Sequence, residues 1–300
     1  MAINKRKVAA SFSRAAQDYA EHAVLQRTVA ERLLERLELV SISPNVIVDV
    51  GSGPGGAARQ LAKRYKGAQL LQFDLSMEML SQSRSKDSRF FSKQQYICGD
   101  AEKLPLMKNS AELIFSSLML QWCNDLDAVF TQIKSTLTKQ GLFLFATLGP
   151  DTLKELRSSW AEVDDDVHVN TFIDMHDIGD ALIRTGFVEP VMDVEHITLT
   201  YEDCFSLMKD LKILGASNAD NDRSRGLTGK NKIKSLESAY EKHRTEGRLP
   251  ATYEIVYGHA WTPLQETVPE NVYGDTVNEA FFPISSLKDT LKNRTKKQGR

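Results

Sequence analysis

The sequence predicts an α/β protein, a mostly parallel sheet with helices on both of its faces. Three observations carry that expectation. Short apolar runs alternate with helical stretches through the first half of the chain. Runs such as Val46-Ile47-Val48 lack polar alternation, as expected of strands covered on both sides. A glycine-rich turn follows the first run and opens a helix, the junction at which such sheets bind ligands. The runs are Val46–Val50, Leu70–Phe73, Gln95–Cys98, Leu113–Phe115 and Leu142–Ala146. The intervening helices are expected at Gly56–Tyr65, Met77–Ser85 and Leu126–Leu137. Repeated strand–helix–strand units of this kind give right-handed crossovers and a parallel sheet.

The flanks differ in character. The first forty residues read as helical, with Leu25, Val29, Leu33 and Leu37 at four-residue spacing and Ser43-Pro44-Asn45 ending the pattern. After Gly149-Pro150, Asp151–Trp160 and Met175–Thr185 read as helices, the second stopped by Gly186. Val191–Thr200 alternates apolar and polar residues and Thr252–Trp261 is again strand-like, which predicts an antiparallel edge. A polar helical stretch of about 201–249 interrupts those two strands and reads as a lid. The expected organisation is one domain over 1–262, with a helical cap at 1–43 and the insert at 201–249, followed by a C-terminal tail at 263–300 that ends in Lys292-Asn293-Arg294-Thr295-Lys296-Lys297.

Composition excludes some partners. The chain is 41% hydrophobic and 26% charged, with a net charge of −2. That balance gives no global reason to expect nucleic acid or an anionic membrane. No run approaches the ~18 apolar residues of a membrane span. Cys98, Cys123 and Cys204 lack the spacing of a zinc or redox motif, so no metal site is expected. Reduced thiols point to a reducing compartment, and the cytoplasm is the expected location. Lys5, Arg6, Lys7 and Arg14, with no acid before Asp18, leave a mitochondrial targeting segment as the open alternative.

The constellation that carries chemistry is Val48-Asp49-Val50-Gly51-Ser52-Gly53-Pro54-Gly55-Gly56. Gly51, Gly53 and Gly56 also satisfy G-x-G-x-x-G, which keeps a dinucleotide oxidoreductase in view. Three acids argue against it. Asp49 lies inside the strand, where its carboxylate would repel a pyrophosphate but can reach the cationic amino group of a methionine moiety. Asp74 closes the second strand, where a carboxylate can hold two ribose hydroxyls. Asp100 follows the third, where it can accept from an adenine amino group. Acids at three successive strand ends suit a cationic adenosyl ligand.

Over about residues 45–150 the chain resembles the class I methyltransferase family, through D-V-G-S-G-P-G, F-D-L-S-x-x-M-L and G-D-A-E-x-L-P. The resemblance implies a Rossmann-like, seven-stranded sheet and S-adenosylmethionine as cofactor. It implies cofactor contacts at Asp49, Gly51, Ser52, Gly53, Asp74, Leu75, Met79, Asp100, Ala101, Ser117 and Leu118. The run Phe115–Trp122 stands where the family places the loop lining the sulfonium.

The flanks are similar to a narrower family, the malonyl-acyl-carrier-protein O-methyltransferases of biotin synthesis. The matching stretches are Phe12–Tyr19, Leu118–Trp122, Gly149–Arg157, Asp174–Gly179, Leu214–Asn218, Gly226–Gly229 and Thr252–Trp261. One departure is Ser117-Leu118-Met119, where the family more usually has an asparagine. Mitochondrial complex I assembly factors share the G-P-D-T-L-x-E-L-R stretch, which keeps an assembly factor or hydroxylase as an alternative, beside a methyltransferase for another small acid.

The reaction so implied is methyl transfer from the sulfonium to the free carboxylate of a malonyl thioester, on acyl carrier protein or coenzyme A. A carboxylate is already ionised at pH 7, so no general base is required, and the histidines, His168 and His176 included, are expected to be structural or surface residues. The protein must supply alignment and a dry pocket. Arg157 is the expected clamp for the malonyl carboxylate, since a guanidinium pairs with it through two bonds, and Tyr19 is the expected cap of that pocket. Arg223, Arg225, Lys230, Lys232 and Lys234 form an acid-free basic stretch expected to dock the carrier.

Overall fold

The computed structural model describes residues 3–87, 94–214 and 229–264. The chain divides into two units, Met1–Thr262 and Pro263–Arg300; the fold that follows is that of the first. Seven strands form one sheet: β1 (Val46–Val50), β2 (Gln69–Asp74), β3 (Gln94–Cys98), β4 (Ala111–Ser117), β5 (Leu137–Leu148), β6 (Val188–Tyr201) and β7 (Leu249–Trp261). Their order is β3-β2-β1-β4-β5-β7-β6. The first five run parallel, and β7 lies antiparallel to both β5 and β6.

The β-branched run of β1 sits at the centre, with β2 on one side and β4 on the other. Alternation of side chains then fills two apolar layers. Ile47, Leu113, Phe115, Leu142 and Leu144 face one, and Val48, Ile114, Phe143 and Phe145 face the other. The first layer is closed by α3 (Val24–Glu35), α4 (Gly56–Arg64) and α7 (Lys154–Ala161), together with α9 (Cys204–Ile213) and α10 (Lys230–Glu241) of the insert. The second is closed by α6 (Leu126–Thr136) and α8 (Met175–Arg184), around the stacked rings of Phe143 and Phe145, 4.9 Å apart. The cooperative burial explains why runs with no amphipathic pattern still form strands.

Three boundaries differ from the sequence reading. The N-terminal helical region is broken into α1 (Lys5–Ala15), α2 (Tyr19–His22) and α3. The break turns Tyr19 inward between the two longer helices. α7 begins at Lys154 because Gly149–Thr152 forms a turn pinned to β7: Gly149 N–H donates to Glu254 O (2.9 Å) and Leu153 N–H to Thr252 O (2.6 Å). β5 and β6 run longer than their apolar runs: the antiparallel partner β7 extends β6 at both ends and β5 through Leu148, while β5 begins early at Leu137, paired with Ala111 of β4. Among the described residues no helix is long and apolar enough to cross a membrane.

Candidate active site

Strand order reverses between β1 and β4, and ligands bind at the carboxyl ends of strands at such a point. The loop after β1 and the loop after β4 meet there. Gly51 has φ +79°, and a Cβ on it would lie 2.5 Å from Met119 Cβ. Only glycine lets the two loops close on each other. Gly53 has φ +53° with open space where a side chain would be, and its N–H donates to Asp74 Oδ2 (2.8 Å). Leu118 holds φ +53° without being glycine, with its N–H on Ala146 O (2.8 Å).

These loops enclose a cavity of about 660 Å³. Gly51, Gly53, Asp74, Leu75, Met79, Asp100, Ala101, Ser117 and Leu118 line it. Asp49 and Ser52 line an adjoining space that shares Gly51, Gly53, Ser117 and Tyr19 with the first. Of the residues that the motifs pointed to for the cofactor, nine thus line the first void, and Asp49 and Ser52 line the adjoining one.

The electrostatics of this void favour a cation with hydroxyl and amine donors. Asp49 is 1% exposed, and its Oδ2 has no hydrogen-bond partner. Burial first, and the neighbouring Asp74 second, push its carboxyl up to about 8. The buried Ser52 hydroxyl is likewise unpartnered. Asp74 is also raised by burial, opposed by N–H donors: Ser76 N–H meets Oδ1 and Gly53 N–H meets Oδ2, both at 2.8 Å. Each of its oxygens retains a second acceptor position, the requirement for a vicinal diol. An orphaned buried carboxylate, a buried acceptor pair and a glycine cradle make a set that S-adenosylmethionine fits; Asp49 would meet its amino group, Asp74 its ribose and Asp100 its adenine.

Removal of the Asp74 carboxylate tests the middle assignment. Asp74→Ala should lose about 2–4 kcal/mol of affinity for S-adenosylhomocysteine, the loss of two hydrogen bonds to a charged acceptor. Titration calorimetry on the folded variant measures it, and an unchanged constant would place the ribose elsewhere.

Several contributors to this void were not legible as such. α1 lies across it: Lys5 Nζ bonds Asp100 Oδ1 (2.6 Å) and Glu102 Oε1 (2.9 Å), and Val8 is buried at its wall. Phe12 packs edge-on to Tyr19 and Trp122, with centroids 6.3 and 5.4 Å away. Ser13 reaches Ser76 Oγ (3.1 Å) and the Glu78 carboxylate. The sequence signal for this cover was the apolar spacing of Val8, Phe12 and Ala15, which says that a helix is covered but not by what. Tyr19 faces the cofactor void and the space beyond it. Burial and the nearby Asp74 raise its phenol, so it stays protonated and able to donate.

Arg157 stands apart. Its guanidinium donates to Pro150 O (2.8 Å) and Thr152 O (2.9 Å), and it lines neither the cofactor cavity nor the one beside it. The residue expected as a substrate clamp is spent on the carbonyls of the Gly149–Thr152 turn. Arg157→Ala should therefore cost about 1–3 kcal/mol of folding stability through those two bonds. Urea unfolding beside donor binding measures it. A fully stable variant that had lost only turnover would restore the clamp.

The basic stretch of the insert is also not one free surface. Lys232 Nζ is paired with Asp164 (2.6 Å) and Asp166 (3.7 Å). Lys234 is exposed, whereas Arg223, Arg225 and the Lys230 side chain lie outside the described residues. His168 is held by Asp164 (2.7 Å) and stacks on Trp160, and His176 is exposed beside Asp174 (2.7 Å).

Comparison with known proteins agrees with this geometry. Residues 48–145 match the model of a methyltransferase domain. A Bacillus halodurans protein has the same fold at TM-score 0.57 and 17% identity, over 78% of this chain and 99% of that one. The Bacillus subtilis YcgJ protein does so at 0.56 and 12%, over 78% and 98%. A Gallionella capsiferriformans protein named malonyl-acyl-carrier-protein O-methyltransferase is 49% identical over 266 residues, 87% of this chain and 92% of its own length. Proteins of the same name from a Methylovorus strain and Legionella pneumophila are 48% identical (87% of this chain, 90% of theirs) and 37% identical (96% and 99%). The chain is an S-adenosylmethionine-dependent methyltransferase, and it belongs to the malonyl-acyl-carrier-protein O-methyltransferase family.

Proposed function

We propose that the chain methylates the free carboxylate of a malonyl thioester carried on an acyl carrier protein, giving the methyl ester. The observation that carries this reading is a wall shared by two voids. Phe12, Tyr19, Leu118 and Trp122 line the cofactor cavity and also a second cavity of about 1400 Å³ on its far side. An acceptor arriving through the second void meets the donor at that wall.

S-adenosylmethionine, when bound, would supply a methyl group on a sulfonium, already electrophilic. The chain's own residues therefore have to align and dry, and no acid–base pair is needed for an acceptor that is ionised at pH 7. Among the described residues, His22 is the one histidine on the second cavity, and it is 3.9 Å from Asp210. That cavity presents no lysine or arginine among its described lining residues. Beside the His22–Asp210 pair, its polar groups include the neutral donors Tyr19, Gln121, Tyr201 and Tyr253. A carboxylate held by neutral donors keeps more of its nucleophilicity than one held in a bidentate ion pair. Tyr19 takes the positioning role in this reading, and Arg157 sets the turn that forms part of the wall.

Mass spectrometry of malonyl-carrier protein after incubation with the chain and donor tests the proposal. One added methyl, removable by an esterase, is the expected result. Malonyl-coenzyme A in a parallel reaction shows how far the carrier matters. A carrier that stays unmodified while the donor binds would sink the malonyl reading.

A further inference from the structure

The second cavity does not end blind. Leu153, Asn170, Phe172 and Leu211 line it and also line a third void that opens beside α1 and α9. The path therefore runs from the donor, past Phe12 and Tyr19, past Asn170 and Phe172, to a mouth at the surface. Its chemistry changes along the way. The middle is apolar but carries buried amide atoms with nothing to bond: Asn170 Oδ1, and Gln26 Oε1 on the second cavity. A buried polar atom without a partner costs stability unless a ligand satisfies it. The mouth carries three cations, Arg14 from α1 and Lys209 and Lys212 from α9, against one acid, Asp18. All three cations are exposed and make no ion pair with another described residue.

A ligand that fits this path is long and thin, reactive at its inner end, amide-bearing in the middle and anionic at its outer end. We infer that the path is a binding site for a phosphopantetheine arm, with an arm amide at Asn170 and the phosphate at Arg14, Lys209 and Lys212. The inference rests on the malonyl-thioester reading, because that arm is the group on which acyl carrier protein and coenzyme A alike present a thioester. It moves recognition away from the 223–234 stretch, where Lys232 is already paired within the chain. It also gives α1 two tasks, with Phe12 over the donor cavity and Arg14 in its last turn at the mouth: the helix that covers the donor also forms one side of the path.

Binding and turnover separate this inference from the reading beneath it. Calorimetry with phosphopantetheine and with pantetheine, which lacks the phosphate, is done on the whole chain loaded with S-adenosylhomocysteine. Wild type should bind the phosphorylated arm about tenfold more tightly, the worth of one charge-assisted contact, and added salt should shrink the difference. The triple variant Arg14→Ala, Lys209→Ala, Lys212→Ala should bind both probes alike, with donor affinity retained as proof of folding. Asn170→Leu should weaken pantetheine itself. In kinetics, the triple variant should raise KM for malonyl-carrier and malonyl-coenzyme A together. Equal affinity of wild type for the two probes, or a phosphate preference surviving in the triple variant, overturns the site. A KM increase confined to the carrier overturns it too, in favour of a protein–protein surface. A wild type that prefers phosphopantetheine but methylates no malonyl thioester keeps the arm site and removes the malonyl reading.

Discussion

Gly51→Val should abolish useful donor binding, losing about 2–5 kcal/mol of affinity for S-adenosylhomocysteine. Two penalties combine. The residue sits at φ +79°, where a β-branched side chain is strained. The new Cβ would also approach Met119 Cβ to 2.5 Å and Cγ to 2.6 Å, so the loop after β4 must retreat. That loop carries Ser117 and Leu118, which line the donor cavity, and its retreat opens the wall facing the sulfonium. Calorimetry measures the loss, with circular dichroism to establish folding. Adding Met119→Gly to the variant removes the clashing atoms but not the φ strain, so it should recover part of the affinity and no more, a coupling that a double-variant cycle reads directly. Undiminished binding by Gly51→Val would mean that the apposition of the two loops does not shape the site.

The residues proposed to hold the donor were legible in the sequence because their determinants are local. Asp49, Asp74 and Asp100 each follow from the end of a strand, and strand ends can be read from apolar runs and the residues that close them. Topology then brings them together: β1, β2 and β3 are sheet neighbours, so acids at their carboxyl ends converge without any further information. The acceptor half rests on contacts between distant segments. Phe12, Trp122, Asn170 and Leu211 come from α1, the loop after β4, the segment between α7 and α8, and α9, and no periodicity links them. Arg157 shows the opposite failure. Its place after β5 was read correctly, but a side chain near a ligand-binding edge can be spent on backbone carbonyls, and only coordinates show that Pro150 and Thr152 take it. Lys232 repeats the lesson at the surface, since its partners Asp164 and Asp166 lie far away in sequence.

Donor affinity should rise with pH by about tenfold per unit between pH 6 and pH 8, and then level off. The cause is Asp49, which burial first and Asp74 second hold at about 8 in the empty protein. Below that value the carboxyl carries a proton, and binding the methionine ammonium group requires its release, so complex formation gives up a proton and is favoured as pH rises. The sign for folding is the reverse. An ordinary aspartate in the unfolded chain has lost its proton by about pH 4, so between there and pH 8 the empty folded chain holds a proton that the unfolded chain does not. Its stability through this group is present below that window and is lost as pH rises through it. Saturating donor should offset that loss, since a cation beside Asp49 brings the folded-state value down again. The two slopes of opposite sign distinguish Asp49 from a surface carboxylate, which would titrate near pH 4 and give neither. Asp49→Asn keeps the shape and removes the titration, so its donor affinity should be flat over pH 6–8 and about a hundredfold below the parent at pH 8. Calorimetry in buffers of different ionisation enthalpy counts the proton released on binding. A parent whose affinity does not change across that range, with no proton released, would show that Asp49 is already ionised in the empty site and that its unpartnered oxygen meets something other than the ammonium group.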